Sequence, residues 1–372
     1  MLKLLTSTGA LALALAATTL EAREMRVSSF EPAQGFYSSK ILQPWIDQVN
    51  EKLSDDAKFK LYPGSILGAP PAQADLVKAG VADVALVVPT YTPGVFPITG
   101  VVEIPGLVAN GKEGANILNT LAEDGALDAE YSDYKVIAVF STPAYRFLMA
   151  DAAAMMPEDL KGKKLRSPSK FGSDLFDMVG ASGVGVPAPQ VYENLERGVV
   201  DGAVWVMDAY RTFRLNEVAP YVTTAGFMAQ PMSILMNKNT YDSLSDADKA
   251  VIDGMSGRAT AEWIAGVVDA TDAEVEAAFR ADGAVTFVDP DSAAMAAWPR
   301  PLPVRLKHGW ANKAIPKLRP LLWRGRAGLS ATKPAAPRLS AHRTGGDCAS
   351  GKSATRFSLR HSLTTDGDDH GN

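Results

Sequence analysis

Apolar and polar residues follow helical and strand-like spacings in turn along most of the chain. A strand at residues 26–30 is followed by an apolar helical face at residues 38–53, on which Trp45 is expected to be a core residue. The continuous apolar run at residues 82–89 predicts a buried strand that delivers Pro89, Thr90 and Tyr91 to its carboxyl end. This alternation indicates an α/β fold.

A helix–glycine–strand unit occurs twice, at a constant offset of about 118 residues, so that Gly80 matches Gly198. Glycine suits the end of each helix because that position takes a positive φ. The pair is either a generic α/β connection or the mark of two similar lobes that meet at a cleft. Open α/β sheets bind ligands beyond the carboxyl ends of their strands, which makes Tyr91 and Trp205–Asp208 candidate contacts.

Later segments predict how the chain moves between two lobes. A crossing is expected near Ser141–Tyr145, between two strands, and residues 227–237 are expected to form a strand that returns to the first lobe. The region after Ser245, which with Asp248 resembles a helix start, has helical apolar spacing to residue 283. A helix of about 35 residues would be about 50 Å long and could lie across both lobes.

The first 22 residues predict a secretory signal. Lys3 precedes an uncharged run rich in leucine and alanine, and cleavage is expected after Ala22. A buried N-terminal helix is the alternative. No later run of about 18 apolar residues exists, so no other membrane segment is expected.

Composition limits the possible chemistry. Residues 1–298 contain neither histidine nor cysteine, so catalysis there would depend on carboxylates, lysine or tyrosine. The segment GASGVG from Gly180 does not open a helix after a strand, as a dinucleotide site requires. We therefore expect no enzyme, no cofactor and no metal site.

The last 74 residues differ sharply from the rest of the chain. They contain 14 Lys and Arg against 4 Asp, with Cys348 and all four His, whereas the preceding part has 23 basic and 38 acidic residues. Such a tail, rich in Pro, Arg and Ser, is either a basic disordered arm for nucleic acid or anionic lipid, or the product of a frame shift near Trp298. We favour the frame shift and expect no nucleic-acid partner.

Arg166 and Arg146 are candidates for anion recognition because each lies in an otherwise apolar, strand-like run. A guanidinium fits a carboxylate with two parallel hydrogen bonds. The alternative for either residue is a salt bridge to a nearby Asp. Tyr91, Trp205 and Phe227 could form an apolar wall beside the anion, although Trp205 could equally be a core residue.

Several motifs in order resemble the solute-binding proteins of TRAP transporters, the DctP-like family. The segments that carry the resemblance are GVADVALVVPTYTPGVFP, EDLKGKKLRSP, GVPAPQVYENLERGVVDGAVW, FRLNEVAPY and ILMNKNTYDSL. The match covers most of residues 24–298 and none of the tail. It implies a two-lobed periplasmic binding protein with a hinge and a long helix spanning both lobes, which captures an organic acid for a membrane permease.

The resemblance also implies roles for particular residues. An arginine in the family's LKGxKxR motif binds the ligand carboxylate and maps onto Arg166, and a second arginine maps more loosely onto Arg146. Trp205, with Asp208 beyond it, stands where the family often has a polar residue, which suggests a bulkier, more apolar or aromatic acid. Asn237 matches the family's MNK motif and is included among the ligand-binding candidates.

We divide the chain accordingly into lobe I at residues 23–142 and 226–272, and lobe II at residues 143–225 and 273–298. Two other functions remain open on the residues alone. One is a periplasmic sensor module that passes its ligand to a signalling kinase, and the other is a lyase or hydrolase on the same fold.

Overall fold

A computed structural model describes residues 23–54 and 57–298, which form two mixed β-sheets with helices packed around them. The predicted signal peptide (1–22) and basic tail (299–372) lie outside the described residues. The strands are β1 Arg23–Ser28, β2 Ala57–Tyr62, β3 Val84–Val87, β4 Tyr134–Ser141, β5 Arg146–Met149, β6 Lys164–Ser167, β7 Ser182–Gly185, β8 Gly202–Trp205, β9 Tyr221–Thr223, β10 Pro231–Asn237 and β11 Thr286–Val288.

Eleven α-helices are formed within the described residues, together with short 3-10 segments and one π-helical segment, Tyr37–Leu42. The α-helices are α1 Gln43–Asn50, α2 Gln73–Lys78, α3 Gly111–Glu123, α4 Asp128–Tyr131, α5 Lys170–Met178, α6 Val191–Glu196, α7 Met207–Thr212, α8 Lys238–Asp242, α9 Asp246–Gly254, α10 Arg258–Asp282 and α11 Ser292–Ala297. None of the helices in the described part of the chain is long and apolar enough to cross a membrane.

The first sheet has the strand order β2-β1-β3-β10-β4. β1 is parallel to β2 and β3, while β10 is antiparallel to β3 and β4. Trp45 of α1 packs against this sheet, fully buried, with its ring 5.3 Å from that of Phe59. Its indole N–H donates to the Met255 carbonyl at 3.0 Å, which confirms the expectation of a core residue.

The second sheet has the order β11-β9-β5-β8-β6-β7. β6 is parallel to β7 and β8, and β5 is antiparallel to β8 and β9. The carboxyl ends of β6, β7 and β8 therefore lie at one edge, where side chains that follow each strand can meet.

The repeated unit is confirmed as a structural repeat. α2 and β3 recur as α6 and β8, and the bounds of both elements are shifted by the same number of residues. Gly80 and Gly198 both take positive φ, 71° and 65°, between helix and strand. β3 lies in the first sheet and β8 in the second, so each sheet contains one copy.

The chain crosses between the sheets where the sequence predicted. β4 of the first sheet ends at Ser141, and β5 of the second sheet begins at Arg146. The predicted return strand is β10, which lies between β3 and β4. The residue boundaries assigned to the two lobes remain a prediction.

α10 is the predicted helix that spans the lobes. It packs on α3 and β4 on one side and on α7 on the other. The predicted length is wrong, however, because the helical region is interrupted before Arg258, leaving 25 residues or about 37 Å. The break falls between Gly254, the last residue of α9, and Arg258. Within it Gly257 takes φ 77° and ψ −154°, and its N–H donates to the Ile137 carbonyl of β4 at 2.8 Å. The predicted helix start is confirmed at α9, where the Ser245 hydroxyl accepts from the Asp248 N–H.

Replacing Gly257 with alanine should destabilise the protein by about 1–3 kcal/mol, because this backbone conformation is accessible almost only to glycine. Gly254→Ala is the matched control, since Gly254 lies at the end of α9 and an added Cβ there would meet no atom within 4 Å. Urea unfolding of both variants tests this. Equal stability of the two variants would contradict it.

Candidate ligand-binding site

Arg166 lies on β6 of the second sheet, between β7 and β8. It is paired with Val184 of β7 and Ala203 of β8, and only 1% of the residue is exposed. Its side chain reaches the carboxyl edge of the sheet, because Nε donates to the Val186 carbonyl at 3.0 Å. Val186 directly follows β7, so the position of the guanidinium is set by the ends of its own neighbouring strands.

The partners of the Arg166 guanidinium are all neutral. Nη1 donates to the Val204 carbonyl at 3.4 Å, and Nη2 donates to the Tyr91 hydroxyl at 2.9 Å. The guanidinium carbon lies 4.3 Å from the ring centre of Trp205. In the part of the chain that the structure describes, no carboxylate forms an ion pair with Arg166. A buried cation without a counter-ion is costly, so this position favours an anion.

Tyr91 brings the first sheet to Arg166. It ends a 3-10 turn, Pro89–Tyr91, directly beyond the carboxyl end of β3, as the sequence predicted. The preceding Thr90 hydroxyl accepts from the Gln230 side chain, whose oxygen accepts from the Tyr145 hydroxyl at 3.4 Å. The contact between Tyr91 and Arg166 therefore joins the two sheets beside a network of neutral polar groups.

Trp205 lies against the guanidinium of Arg166. It is the last residue of β8, is 7% exposed, and stacks on Phe213 with ring centres 5.2 Å apart. A guanidinium over an indole face gains a cation–π attraction that is strongest when both groups are desolvated. Trp205 is thus both a buried aromatic residue and a contact of the candidate anion site.

Asp208 lies three residues beyond Trp205, in the first turn of α7, and is 1% exposed. Its carboxyl oxygens have no side-chain hydrogen-bond partner among the described residues, and the buried hydroxyl of Tyr37 has no hydrogen-bond partner there. Burial raises the pKa of Asp208 well above its usual range, and the nearby Asp272 and Glu31 add to this. Arg146 and the Ala209 amide have smaller, opposite effects.

Sequence reasoning missed two further buried carboxyl groups and their neighbours. Burial raises the pKa of Glu31 to about 7, although hydrogen bonds from the Tyr37 and Ser38 amides act to lower it. Burial also raises the pKa of Glu103 to about 8, although a hydrogen bond with the Ser169 side chain acts to lower it. Glu31 and Tyr37 stand in the loop EPAQGFY, between the first strand and the first helix. The position of that loop beyond the carboxyl end of β1 is the signal that could have identified them.

Arg146 is placed differently from Arg166. Its guanidinium forms ion pairs with Asp272 at 2.6 Å and Glu276 at 2.7 Å, both on α10. Asp272 in turn accepts from the Met207 N–H at 2.7 Å, at the start of α7. A surface cleft of about 570 Å³ lies beside Arg146, and Arg280 also lines it. Arg280 is itself paired with Glu276. The arrangement matches the salt-bridge alternative, and Arg146 holds α10 against the second sheet.

Two other predicted site residues do not join the cluster around Arg166. The Phe227 ring packs in the core of the second sheet, 5.1 Å from that of Phe147 and 5.4 Å from that of Phe176. Asn237 lies at the opposite end of the first sheet from Tyr91, where its amide donates to Val77 and its oxygen caps α8. Asn237 therefore lies away from the cluster around Arg166, because β10 runs antiparallel to β3 and ends at the far edge. Its part in ligand binding stays a prediction.

No group of three or more His, Cys, Asp or Glu side chains within residues 23–54 and 57–298 is arranged to hold a metal ion.

The fold and this site define a two-lobed solute-binding protein. The chain belongs to the DctP family, bacterial extracellular solute-binding protein family 7, whose model matches residues 27–305. Members of this family are solute-binding proteins that serve TRAP systems in the periplasm. A curated relative, a solute-binding protein of Albidiferax ferrireducens, is 26% identical over 57% of this chain and 63% of its own length. The chain thus spans less than two thirds of that relative.

Solved structures agree with this family. A marine metagenome TRAP solute binding protein specific for aromatic acid ligands, from an unidentified microbe, is 28% identical with a TM-score of 0.71, over 82% of this chain and 93% of its own. It was solved with metahydroxyphenylacetate, and also with 3-hydroxybenzoate. A TRAP solute binding protein of Rhodoferax ferrireducens with copurified benzoate is 25% identical, with a TM-score of 0.70 over 83% of this chain and 96% of its own.

The raised pKa values of Glu31 and Glu103 predict that stability falls as pH rises. The folded protein keeps protons that the unfolded chain releases above about pH 4.5, so this contribution is present at acid pH and lost as pH rises through about 7 and 8. The free energy of unfolding should fall between about pH 5 and pH 8, and Glu103→Gln should lessen the fall. The exposed Glu158→Gln should not, and a flat wild-type profile in urea unfolding would contradict the prediction.

Arg146→Leu should destabilise the protein by about 3–5 kcal/mol, because it leaves the buried Asp272 without its partner. Arg197→Leu, which breaks the exposed pair with Glu193, should have little effect and serves as control. Urea unfolding and ligand titration of both variants distinguish the two roles of Arg146. Lost ligand affinity at unchanged stability would assign Arg146 to the ligand instead.

Proposed function

We propose that this protein is the solute-binding component of a TRAP transporter, which captures an organic acid between its lobes and delivers it to a membrane permease. The observation that carries the proposal is the buried Arg166 guanidinium, whose partners in the described chain are neutral. Family membership supports the same conclusion. We extend the proposal to export through the N-terminal signal, a periplasmic location, the lobe boundaries given above and the absence of catalysis.

The ligand carboxylate accepts hydrogen bonds from Arg166 in this proposal. The Val186 and Val204 carbonyls accept from Nε and Nη1, and Nη2 is directed toward the first sheet and Tyr91. A carboxylate there replaces or shares the Tyr91 contact and so touches both lobes. Each charge-assisted hydrogen bond contributes about 1.5–3 kcal/mol, which favours the closed arrangement of the lobes.

We propose an aromatic acid as the ligand class. Trp205 and Phe213 give the anion site an aromatic side, and Tyr91 adds a third ring. The related structures at 25–28% identity contain benzoate, 3-hydroxybenzoate or metahydroxyphenylacetate. Asn237, Phe227 and Arg146 are left out of the proposed contacts because of their positions, and Asp208 is retained.

Arg166→Ala should abolish measurable binding of aromatic acids, and Arg166→Lys should weaken it by about a hundredfold or more, because lysine lacks the planar fork. Isothermal titration with a panel of aromatic and aliphatic acids measures both. Arg211→Ala is the control, since Arg211 is half exposed and lies 3.7 Å from Glu274.

Circular dichroism and thermal unfolding must show that the Arg166 variants remain folded. Full affinity in a folded Arg166→Ala protein would remove Arg166 from the site. If wild-type protein binds aliphatic acids and no aromatic acid, the ligand class is wrong while the receptor function stands.

A further inference from the structure

Two segments that connect the sheets are hydrogen-bonded to each other. Residues 142–145 lead from β4 to β5, and residues 224–230 lead from β9 back to β10. The Thr142 N–H donates to the Gln230 carbonyl at 2.9 Å, and the Gln230 N–H donates to the Thr142 hydroxyl at 2.9 Å. We call these two paired segments the hinge, because a movement of one sheet relative to the other has to be absorbed in such connections.

The side chain of Gln230 reaches from the hinge to the turn that carries Tyr91. Its amide nitrogen donates to the Thr90 hydroxyl, and its oxygen accepts from the Tyr145 hydroxyl at 3.4 Å. Thr90 directly precedes Tyr91 in the Pro89–Tyr91 turn. Gln230 and Tyr145 are each 2% exposed, so loss of these bonds would leave buried polar groups unpaired.

The bonds inside the turn do not attach it to the hinge. The Tyr91 N–H donates to the Val88 carbonyl at 3.0 Å, and the Thr92 hydroxyl donates to the Pro89 carbonyl at 2.9 Å. These local bonds shape the turn, whereas the bond from Gln230 joins it to a connection between the sheets. The orientation of the Tyr91 hydroxyl toward the second sheet therefore depends on both.

We propose that Gln230 is a positioning residue for ligand capture: its amide fixes the Tyr91 turn to the hinge, so that the Tyr91 hydroxyl meets the Arg166 guanidinium and the acid is held by both lobes. This inference rests on the proposed function, because it assigns a residue that sets the geometry of the same site. The 2.9 Å contact between Tyr91 and Arg166 is the step through which Gln230 acts.

An amide suits this position because it offers a donor to Thr90 and an acceptor to Tyr145 without a charge. A carboxylate there would place a charge in a region that is shielded from water, which is costly. Leucine has a similar size but forms neither bond. Gln230→Leu therefore removes the link between the hinge and the turn with little change in volume.

The first test is calorimetric titration of benzoate into the exported protein freed of bound ligand. If wild-type protein does not bind benzoate, the most tightly bound acid of the panel above replaces it. Gln230→Leu and Thr90→Val should each weaken binding by about tenfold, because each removes the same hydrogen bond. Thr90→Ser should stay within about twofold of wild type, because serine keeps the hydroxyl.

Asn119→Leu is the matched control. Asn119 is 4% exposed, and its amide donates to the Ala115 carbonyl at 2.7 Å and the Val139 carbonyl at 3.0 Å. This variant should lower the free energy of unfolding in urea while its ligand affinity stays within about twofold of wild type.

A double-mutant cycle separates positioning from general damage to the fold. In a Tyr91→Phe background, Gln230→Leu should weaken binding by less than about twofold, because the hydroxyl through which it acts is gone. A purely structural role would produce the same loss of affinity in both backgrounds, and that result would overturn the inference.

Wild-type affinity in folded Gln230→Leu and Thr90→Val proteins would also overturn the inference and leave the proposed receptor intact. If Gln230→Leu does not fold, the comparison of Thr90→Val with Thr90→Ser decides, and equal affinities of these two variants would overturn the inference. Binding of no acid in the panel by wild-type protein would overturn the proposed function, and this inference with it.

Discussion

The interaction on which the site depends is the burial of the Arg166 guanidinium against neutral partners. Two backbone carbonyls at the ends of β7 and β8 fix its orientation, and the Trp205 indole lies beneath its plane. None of these groups cancels the charge, so the strands present a desolvated cation at the edge where ligands bind α/β sheets. The parallel strands β7 and β8 are both needed, because Arg166 is paired with Val184 of β7 and Ala203 of β8 and the two carbonyls lie one or two residues beyond these partners.

The repeated unit explains why the two sheets meet where they do. β3 and β8 are equivalent strands in different sheets, and a polar side chain follows each of them: Tyr91 after β3 and Asp208 after β8. Tyr91 reaches across to Arg166 of the second sheet. The ion pair of Arg146 with Asp272 ties α10 to β5, and Asp272 also holds the start of α7. A ligand that contacts both sides stabilises the closed arrangement of the lobes, which is how hinge-closing receptors respond to binding.

Local patterns predicted much of this structure. The glycine-ended helices, the strands after them, the crossings between sheets and the delivery of Tyr91 beyond β3 all follow from short stretches of sequence. The partners of Arg146 could not be predicted, because Glu276 lies 130 residues further along the chain. The break at Gly257 was missed because helical apolar spacing continues on both sides of it, and a lone glycine costs a helix only about 1 kcal/mol.

A crystal structure of the protein with a bound aromatic acid tests the central claim most directly. The account predicts a ligand carboxylate whose oxygens lie about 2.7–2.9 Å from the Arg166 nitrogens, with the two strand-end carbonyls still accepting from the same guanidinium. A ligand whose carboxylate is bound by other groups, while Arg166 keeps only its contacts with Tyr91, Val186 and Val204, would contradict it.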